Sequence, residues 1–323
     1  MRSSKLLIIG KIPPPIGGVT IHTTRLMNWL EKDKIPFHFL NLNFKELLLI
    51  PFALKNYSCI HVHSSNPWVR LYVIILSRLF GKYGIVTIHG DLYRFKLKLK
   101  NWLDKKSIQL ADKPIVLNER SFVLAKKLNY HTEMISSFIP PDISREYLSS
   151  TCIRHIHKMH EKYDILFCTN AFNLSYDKNG NEIYGITELI NFFRIHTQFG
   201  LIFSDPSCAY KNAFKERNFE IPENVYMINE NHSFYKVMEL CNASIRNTTT
   251  DGDSISVKES LYLGKITFST DVVSRPRGCI TYKKGNLNEI LTFVNKKNTV
   301  NKELVENGYI RLREIYRSCI TNS

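Results

Sequence analysis

Short apolar runs, each followed through a loop by a segment of helical spacing, recur along the whole chain, and no other feature restricts the fold as much. In the first half, Lys5 to Gly10 (KLLIIG), Ile35 to Leu40, Ser58 to His63 (SCIHVH), Gly84 to Ile88 (GIVTI), Pro114 to Leu117 and Glu133 to Ser136 read as strands. In the second half the strands are Asp164 to Thr169 (DILFCT), Gly200 to Phe203, Asn224 to Ile228, Cys241 to Ile245 and Ile266 to Ser269. KLLIIG is apolar without alternation, as a strand covered on both faces requires. Strands that alternate with helices imply a parallel sheet with right-handed crossovers. With 323 residues there is room for two such domains. Phe138 to Asp142 (FIPPD) carries paired prolines, which make a stiff extended linker. The expected division is therefore 1–140, 141–300, and a terminal helix in 301–323, where Leu304, Val305, Ile310, Leu312 and Ile315 fall at near-helical spacing.

Composition narrows the setting. The seven Cys are scattered and form no Cys-x-x-Cys, which points to reduced thiols in a cytosolic protein rather than a disulfide frame or zinc ribbon. The first apolar run has five residues before Lys11, too short for a signal peptide. Residues 71–80 (LYVIILSRLF) are the most apolar stretch, but they are short for a membrane span and contain Arg78, so a buried helix is expected.

The formal charge of +15 is uneven: residues 1–140 hold 21 Lys and Arg against 8 Asp and Glu. Such asymmetry calls for a polyanionic partner, nucleic acid or an anionic membrane surface. No nucleic-acid recognition motif is present, and lipid satisfies the charge argument. The densest part is Tyr93 to Lys106, where Arg94, Lys96, Lys98, Lys100, Lys105 and Lys106 interleave with Trp102 and leucines. Two readings of it stand, a segment lying in the membrane interface and a solvated helix face with its apolar side in the core.

The stretch most informative about chemistry runs from Ile245 to Pro276 (IRNTTTDGDSISVKESLYLGKITFSTDVVSRP). A strand gives way to Arg246, three threonines and the turn Asp251-Gly252-Asp253-Ser254, where Asp253 or Ser254 is expected to cap a helix by accepting its first amides. The helix carries Val257, Leu261 and Leu263 inward and stops at Gly264. Glu259 then lies about 8 Å along the axis from the helix start. Amides at Gly252 to Ser254 and the positive end of the helix dipole suit a diphosphate.

Other candidate residues are dispersed. Gly17 and Gly18 follow the first strand and a proline run, where bare backbone lets amides approach a phosphate. His89-Gly90 ends the GIVTI strand and is either a turn histidine or a contact to a substrate hydroxyl. His61 and His63 share a strand face, but a catalytic zinc needs a third ligand that is not recognisable nearby. His155, His157 and His160 read as a solvated basic helix.

The Asp251 to Glu259 spacing resembles the Glu-x7-Glu signature of retaining GT-B glycosyltransferases of family 4, in the branch where Asp replaces the first Glu within Arg-x-Thr-x-x-Asp-Gly-Asp-Ser. Gly17-Gly18 and His89-Gly90 resemble the corresponding family elements. The resemblance implies two Rossmann-like domains with parallel sheets facing a central cleft, and metal-independent transfer from a nucleotide sugar, UDP- or GDP-linked, with no further cofactor. It implies Gly17, Gly18, Arg246 and the backbone of Gly252, Asp253 and Ser254 around the donor. Asp251 would face the sugar, Glu259 the ribose and His89 a sugar hydroxyl, with residues 229–238 beside the base. One departure is plain: the usual Arg and Lys after the first strand of the second domain are replaced by NAFNLSYDKNGNEIYGI, so either Lys178 serves, or Arg246 and Arg275 supply the charge. A lipid-linked saccharide acceptor and a peripheral place on the inner face of the cytoplasmic membrane, in bacterial O-antigen, capsule or exopolysaccharide assembly, are further implications. A sugar-nucleotide epimerase and a relative without activity are the alternatives.

Overall fold

A computed structural model describes residues 6–177, 179–294 and 305–321. The chain divides into two compact units, Met1–Asp142 with Asn307–Ser323, and Ile143–Glu306. The first unit runs β1 (Leu6–Gly10), α1 (Gly18–Lys32), β2 (Phe37–Asn41), α2 (Phe44–Leu54), β3 (Cys59–His63), α3 (Pro67–Leu79), β4 (Tyr83–Ile88), α4 (Lys98–Leu110), β5 (Lys113–Val116), α5 (Glu119–Lys126) and β6 (Glu133–Met134). Its sheet is parallel in the order β2-β1-β3-β4-β5-β6, so the order reverses between β1 and β3. Alternate residues of β1 serve opposite faces, as the pleat demands. Leu7 and Ile9 pack with α2 and α3 through Ile50, Leu54, Val73 and Ile74, whereas Leu6 and Ile8 pack with Leu26 and Leu30 of α1.

The second unit runs α6 (Ser150–Lys162), β7 (Ile165–Asn170), α7 (Ile186–Ile195), β8 (Phe199–Ser204), α8 (Ala209–Glu216), β9 (Val225–Ile228), α9 (Phe234–Leu240), β10 (Ala243–Arg246), α10 (Ile255–Tyr262), β11 (Ile266–Thr270), β12 (Ile280–Tyr282) and α11 (Leu291–Val294). Its parallel order, β12-β11-β10-β7-β8-β9, is that of a classical dinucleotide-binding sheet with the reversal between β7 and β10. The strand at β12 was not expected from sequence, because three residues between polar turns carry no usable period.

The last helix, α12 (Gly308–Thr321), belongs to the first unit and lies on the face of its sheet that α1 also covers. Tyr309, Leu312, Ile315 and Tyr316 are its buried side. Tyr309 donates to Asp33 and to the Trp29 carbonyl, and Arg311 pairs with Glu133. Gly308 approaches so closely that a Cβ there would stand 2.0 Å from the Ser136 carbonyl oxygen. Residues 302–304, part of the expected tail, lie outside the described residues.

Two expectations need correction. Residues 71–80 lie mostly in α3, which buries Arg70, Leu71, Val73, Ile74 and Ser77 but leaves Tyr72, Ile75 and Leu79 exposed. It is therefore a half-covered helix rather than a buried one. Tyr93 to Lys106 is not one segment, since it crosses a turn with Tyr93 at φ 63° before α4 begins. Within α4, Leu103 is buried while Leu99 and Trp102 are exposed, and of the lysines Lys98 is exposed and Lys100, Lys105 and Lys106 are half-buried, so its apolar side is only partly in the core.

Candidate functional site

In an open parallel sheet the crevice for ligands lies beyond the carboxyl ends of the strands where their order reverses. In the second unit that point is defined by Asn170, ending β7, and Arg246, ending β10. The Arg246 guanidinium reaches both the Asn170 side-chain oxygen and its carbonyl at 3.5 Å, and lies 5.1 Å over the Tyr184 ring. Its main partner is Asp251: Nε donates to Oδ2 at 3.1 Å. Arg275, which follows β11, donates to the same Oδ2 at 2.9 Å and to the Thr270 carbonyl at 3.0 Å. Two cations therefore share one buried carboxylate, leaving a net positive charge at the reversal point.

The electrostatics follow from that arrangement. Burial alone would raise the Asp251 carboxyl, but the charges of Arg246 and Arg275 outweigh it and hold its pKa below the ordinary carboxylate range. For Arg246, burial opposes the charge, yet Asp251 more than restores it. The loop between them is pinned from beneath. Thr270 donates to the Thr248 carbonyl at 2.8 Å, and Asn247 donates to the Gly185 carbonyl and to Glu188 while accepting from Tyr282 and Lys284. Gly185 is left-handed, and a Cβ there would meet Asn247 at 2.6 Å.

Beyond the loop, α10 starts after Ser254, whose side chain makes no cap bond to the helix. That corrects the Ser254 alternative of the expected cap: Ser254 Oγ lies 3.1 Å from Ser256 Oγ, while the Asp253 carboxylate pairs with Lys258. Ser254 thus gives the first amides of α10 no side-chain cap, at the end of the helix where the dipole is positive. The other end stops as the sequence suggests. Gly264 is left-handed, and its amide and that of Lys265 close back on Leu261 and Ser260. Val257 and Leu261 are buried, Leu263 only partly. Glu259 is 5% exposed, so it is no solvated helix carboxylate. Next to it, Ser260 Oγ lies 2.7 Å from the hydroxyls of Ser244 and Thr267, tying α10 to β10 and β11.

Further polar groups line the same sheet end: Ser204 carries no signal in the sequence, whereas His232 falls within residues 229–238, the segment expected beside the base. Ser204, ending β8, lies 2.7 Å from His232 Nε2, whose other nitrogen is 2.7 Å from the Glu230 carbonyl. Burial lowers the His232 pKa. His232 falls in the loop of residues 229–233, before the Ser233 cap of α9. Lys178 lies outside the described residues.

The first unit has its own reversal point, between Gly10 and His63. There Gly17 precedes α1 and donates its amide to Thr20 Oγ1 at 2.9 Å, and Gly18 is the first helical residue. The sequence signal of His61, His63 and His89 resolves into a packed group that also contains His22. His61 and His63 rings stand 3.9 Å apart, and His22 is 5.2 Å from both His63 and His89. His63 Nδ1 and His89 Nε2 are 3.1 Å apart and share a proton. His61 is held by Thr87 and Tyr316. Burial, then the neighbouring rings, pushes His61, His63 and His89 well below the usual imidazole range. They are uncharged hydrogen-bonding groups near neutrality. Among the described residues no three His, Cys, Asp or Glu are placed to hold a metal ion. Arg94, expected with the lysines of α4, turns back over Gly90, where a Cβ would lie 1.6 Å from its guanidinium nitrogen. Lys96 and Lys98 are exposed, and Lys100, Lys105 and Lys106 are half-buried. In the second unit, His155 stacks on Tyr226 and His160 bonds the Leu240 carbonyl, so that trio is dispersed.

Two outcomes follow. Asp251→Asn keeps the shape but leaves two buried guanidinium groups without their anion, and should cost about 3–5 kcal/mol in urea unfolding. A loss below about 0.5 kcal/mol would mean the carboxylate is not their counter-ion. The buried histidines act in the opposite pH range from acids. The folded state keeps His61 and His63 uncharged, so below about pH 6.5 the unfolded chain binds protons that the folded one refuses, and stability falls. Lowering the pH from 6.5 to 5.5 should therefore lower the unfolding midpoint, and the double variant His61→Gln, His63→Gln should flatten that slope.

No protein-family model matches the chain, and no curated protein matches it. Solved structures do. Anabaena HepE in complex with UDP-glucose superposes with a TM-score of 0.71 at 11% identity, covering 99% of this chain and 100% of that one. Sucrose-phosphate synthase from Thermosynechococcus elongatus gives 0.65 at 13% identity, over 99% and 97%. UDP-GlcNAc 2-epimerase from Methanocaldococcus jannaschii gives 0.62 at 11% identity, over 97% and 99%. At these identities the likeness carries the fold, and with two parallel six-stranded units the fold of this chain is GT-B.

Proposed function

We propose that this chain is a retaining glycosyltransferase of the family 4 kind, moving a hexose or similar sugar from a nucleotide sugar to a hydroxyl of a lipid-linked saccharide. The observation that carries the reading is the pairing of Arg246 and Arg275 on Asp251, at the strand-order reversal and beside the N-terminus of α10. As the bond between the anomeric carbon and the diphosphate oxygen breaks, negative charge grows on the diphosphate. Two guanidinium groups and the first amides of a helix are suited to meet it, and they need no reorganisation because the carboxylate already holds them in place. Asp251 acts in this reading as a positioning residue for the arginines, and the backbone of Gly252 to Ser254 faces the sugar. Glu259, buried on α10, would take the ribose hydroxyls, with Ser204 and His232 nearer the base. For Gly17, Gly18 and His89 of the first unit this reading keeps the donor-binding roles that the family 4 resemblance implies, His89 as an uncharged ring. Retention places the new bond on the face that the diphosphate leaves.

The basic charge of the first unit supports a peripheral place on an anionic inner-membrane surface, a setting that would suit a lipid-linked acceptor and a part in surface polysaccharide assembly. UDP-linked donors are the first to test, since HepE is bound to UDP-glucose and UDP.

Incubating the protein with UDP- and GDP-sugars, with and without a lipid-linked saccharide, separates the readings. Transfer predicts nucleoside diphosphate release that rises with acceptor. A changed sugar without acceptor would identify an epimerase, and binding without turnover an inactive relative. Glu259→Gln should weaken nucleotide affinity about 10- to 100-fold, the loss of a charge-assisted hydrogen bond, with an unchanged circular dichroism spectrum. Unaltered affinity would remove Glu259 from the site.

A further inference from the structure

The helices α2, α3 and α4 cover one side of the first unit's sheet, and their outward faces carry apolar residues that no described element covers. On α3, Trp68, Tyr72, Ile75 and Leu79 are exposed at spacings of four, three and four, which puts them in one stripe. Trp68 and Leu79 are 53% and 75% exposed. On α2, Leu48 and Phe52, one turn apart, are 62% and 69% exposed, with Leu49 beside them. Trp102 and Leu99 of α4 continue the surface. The inward residues of the same helices, Ile50, Leu54, Val73, Ile74 and Ile108, share one core cluster. The exposed residues therefore face one way, away from the sheet.

The face is also fixed in shape. Pro51 has no amide to offer the Leu47 carbonyl four residues before it, and the Tyr72 hydroxyl of α3 donates to that carbonyl instead, at 3.3 Å. Around the stripe the charge is mainly positive: residues 44–110 contain eleven Lys and Arg against three Asp and Glu. Of the three acids, Asp104 is buried against Arg70 and Asp91 is bonded by Asn118. No described helix is long and apolar enough to cross a membrane.

We propose that this face docks onto an anionic lipid bilayer, with Phe52, Trp68, Ile75 and Leu79 entering the interface and the lysines of α4 at the headgroups. Aromatic and aliphatic side chains rimmed by cations match both layers of such a surface, the acyl boundary and the phosphates outside it. A second copy of the chain is the weaker occupant, since a two-fold contact would set one basic rim against another. The inference deepens the membrane-facing part of the proposed function and adds residues of α2 and α3 to it. Its test uses no sugar donor, so it stands or falls apart from the transfer chemistry.

The experiment is flotation with phosphatidylcholine vesicles, with and without phosphatidylglycerol, followed by tryptophan emission. The full chain should float with the anionic vesicles, less at high salt, and its emission should shift to the blue. Phe52→Glu with Ile75→Glu, both at exposed positions, should lower vesicle partition on the order of tenfold or more, while the circular dichroism spectrum and the thermal midpoint stay as in the parent. Trp68→Phe should remove part of the blue shift while leaving the fold untouched. Absence of flotation, or flotation unchanged in the double variant, would overturn the proposal. So would a concentration-dependent dimer, seen by sedimentation, that the same double variant abolishes.

Discussion

One carboxylate held between two arginines is the interaction on which the second unit's site depends. Asp251 is nearly buried, and so are its partners Arg246 and Arg275, so none of the three can be left alone without a large desolvation cost. A buried ion pair contributes little net stability compared with apolar packing. What it does supply is geometry. Two guanidinium planes are fixed at the ends of β10 and β11, with one unit of positive charge in excess, where a doubly wound sheet offers its crevice. The supporting bonds run downward from the loop to Asn247, Tyr282, Glu188 and Thr270, so the arrangement is braced by the sheet rather than by the ligand.

The first unit solves a different problem, polar residues inside a covered sheet. His61 and His63 occupy a strand whose every residue is buried, which is tolerable only because both rings are uncharged and hydrogen-bonded to neighbours. Tyr316 supplies one of those bonds from α12, so the C-terminal helix completes the polar interior as well as the apolar core. His89, at the end of the next strand, is the member of the group that remains partly accessible.

The central strands were legible because parallel strands covered on both faces are continuously apolar, and the end of α10 because Gly264 must be left-handed. The order of the strands was not legible, since crossovers and not local patterns decide which strands pair. The partnership of Arg275 with Asp251 spans 24 residues and depends on where β11 ends, so neither residue announces the other. The burial of Glu259 likewise belongs to its neighbours. The exposed α3 stripe has a related reason: an apolar helix looks buried in sequence, and only the lack of a covering element among the described residues shows otherwise.

The most direct test of the central claim is hydrogen–deuterium exchange across the second unit, with UDP and GDP added in turn. If the arginine pair and the start of α10 hold a diphosphate, the amides from Gly252 to Val257 should become protected with one of the two nucleotides, and those of the α7 surface should not change. Protection confined to other loops, or none with either nucleotide at saturating concentration, would contradict it.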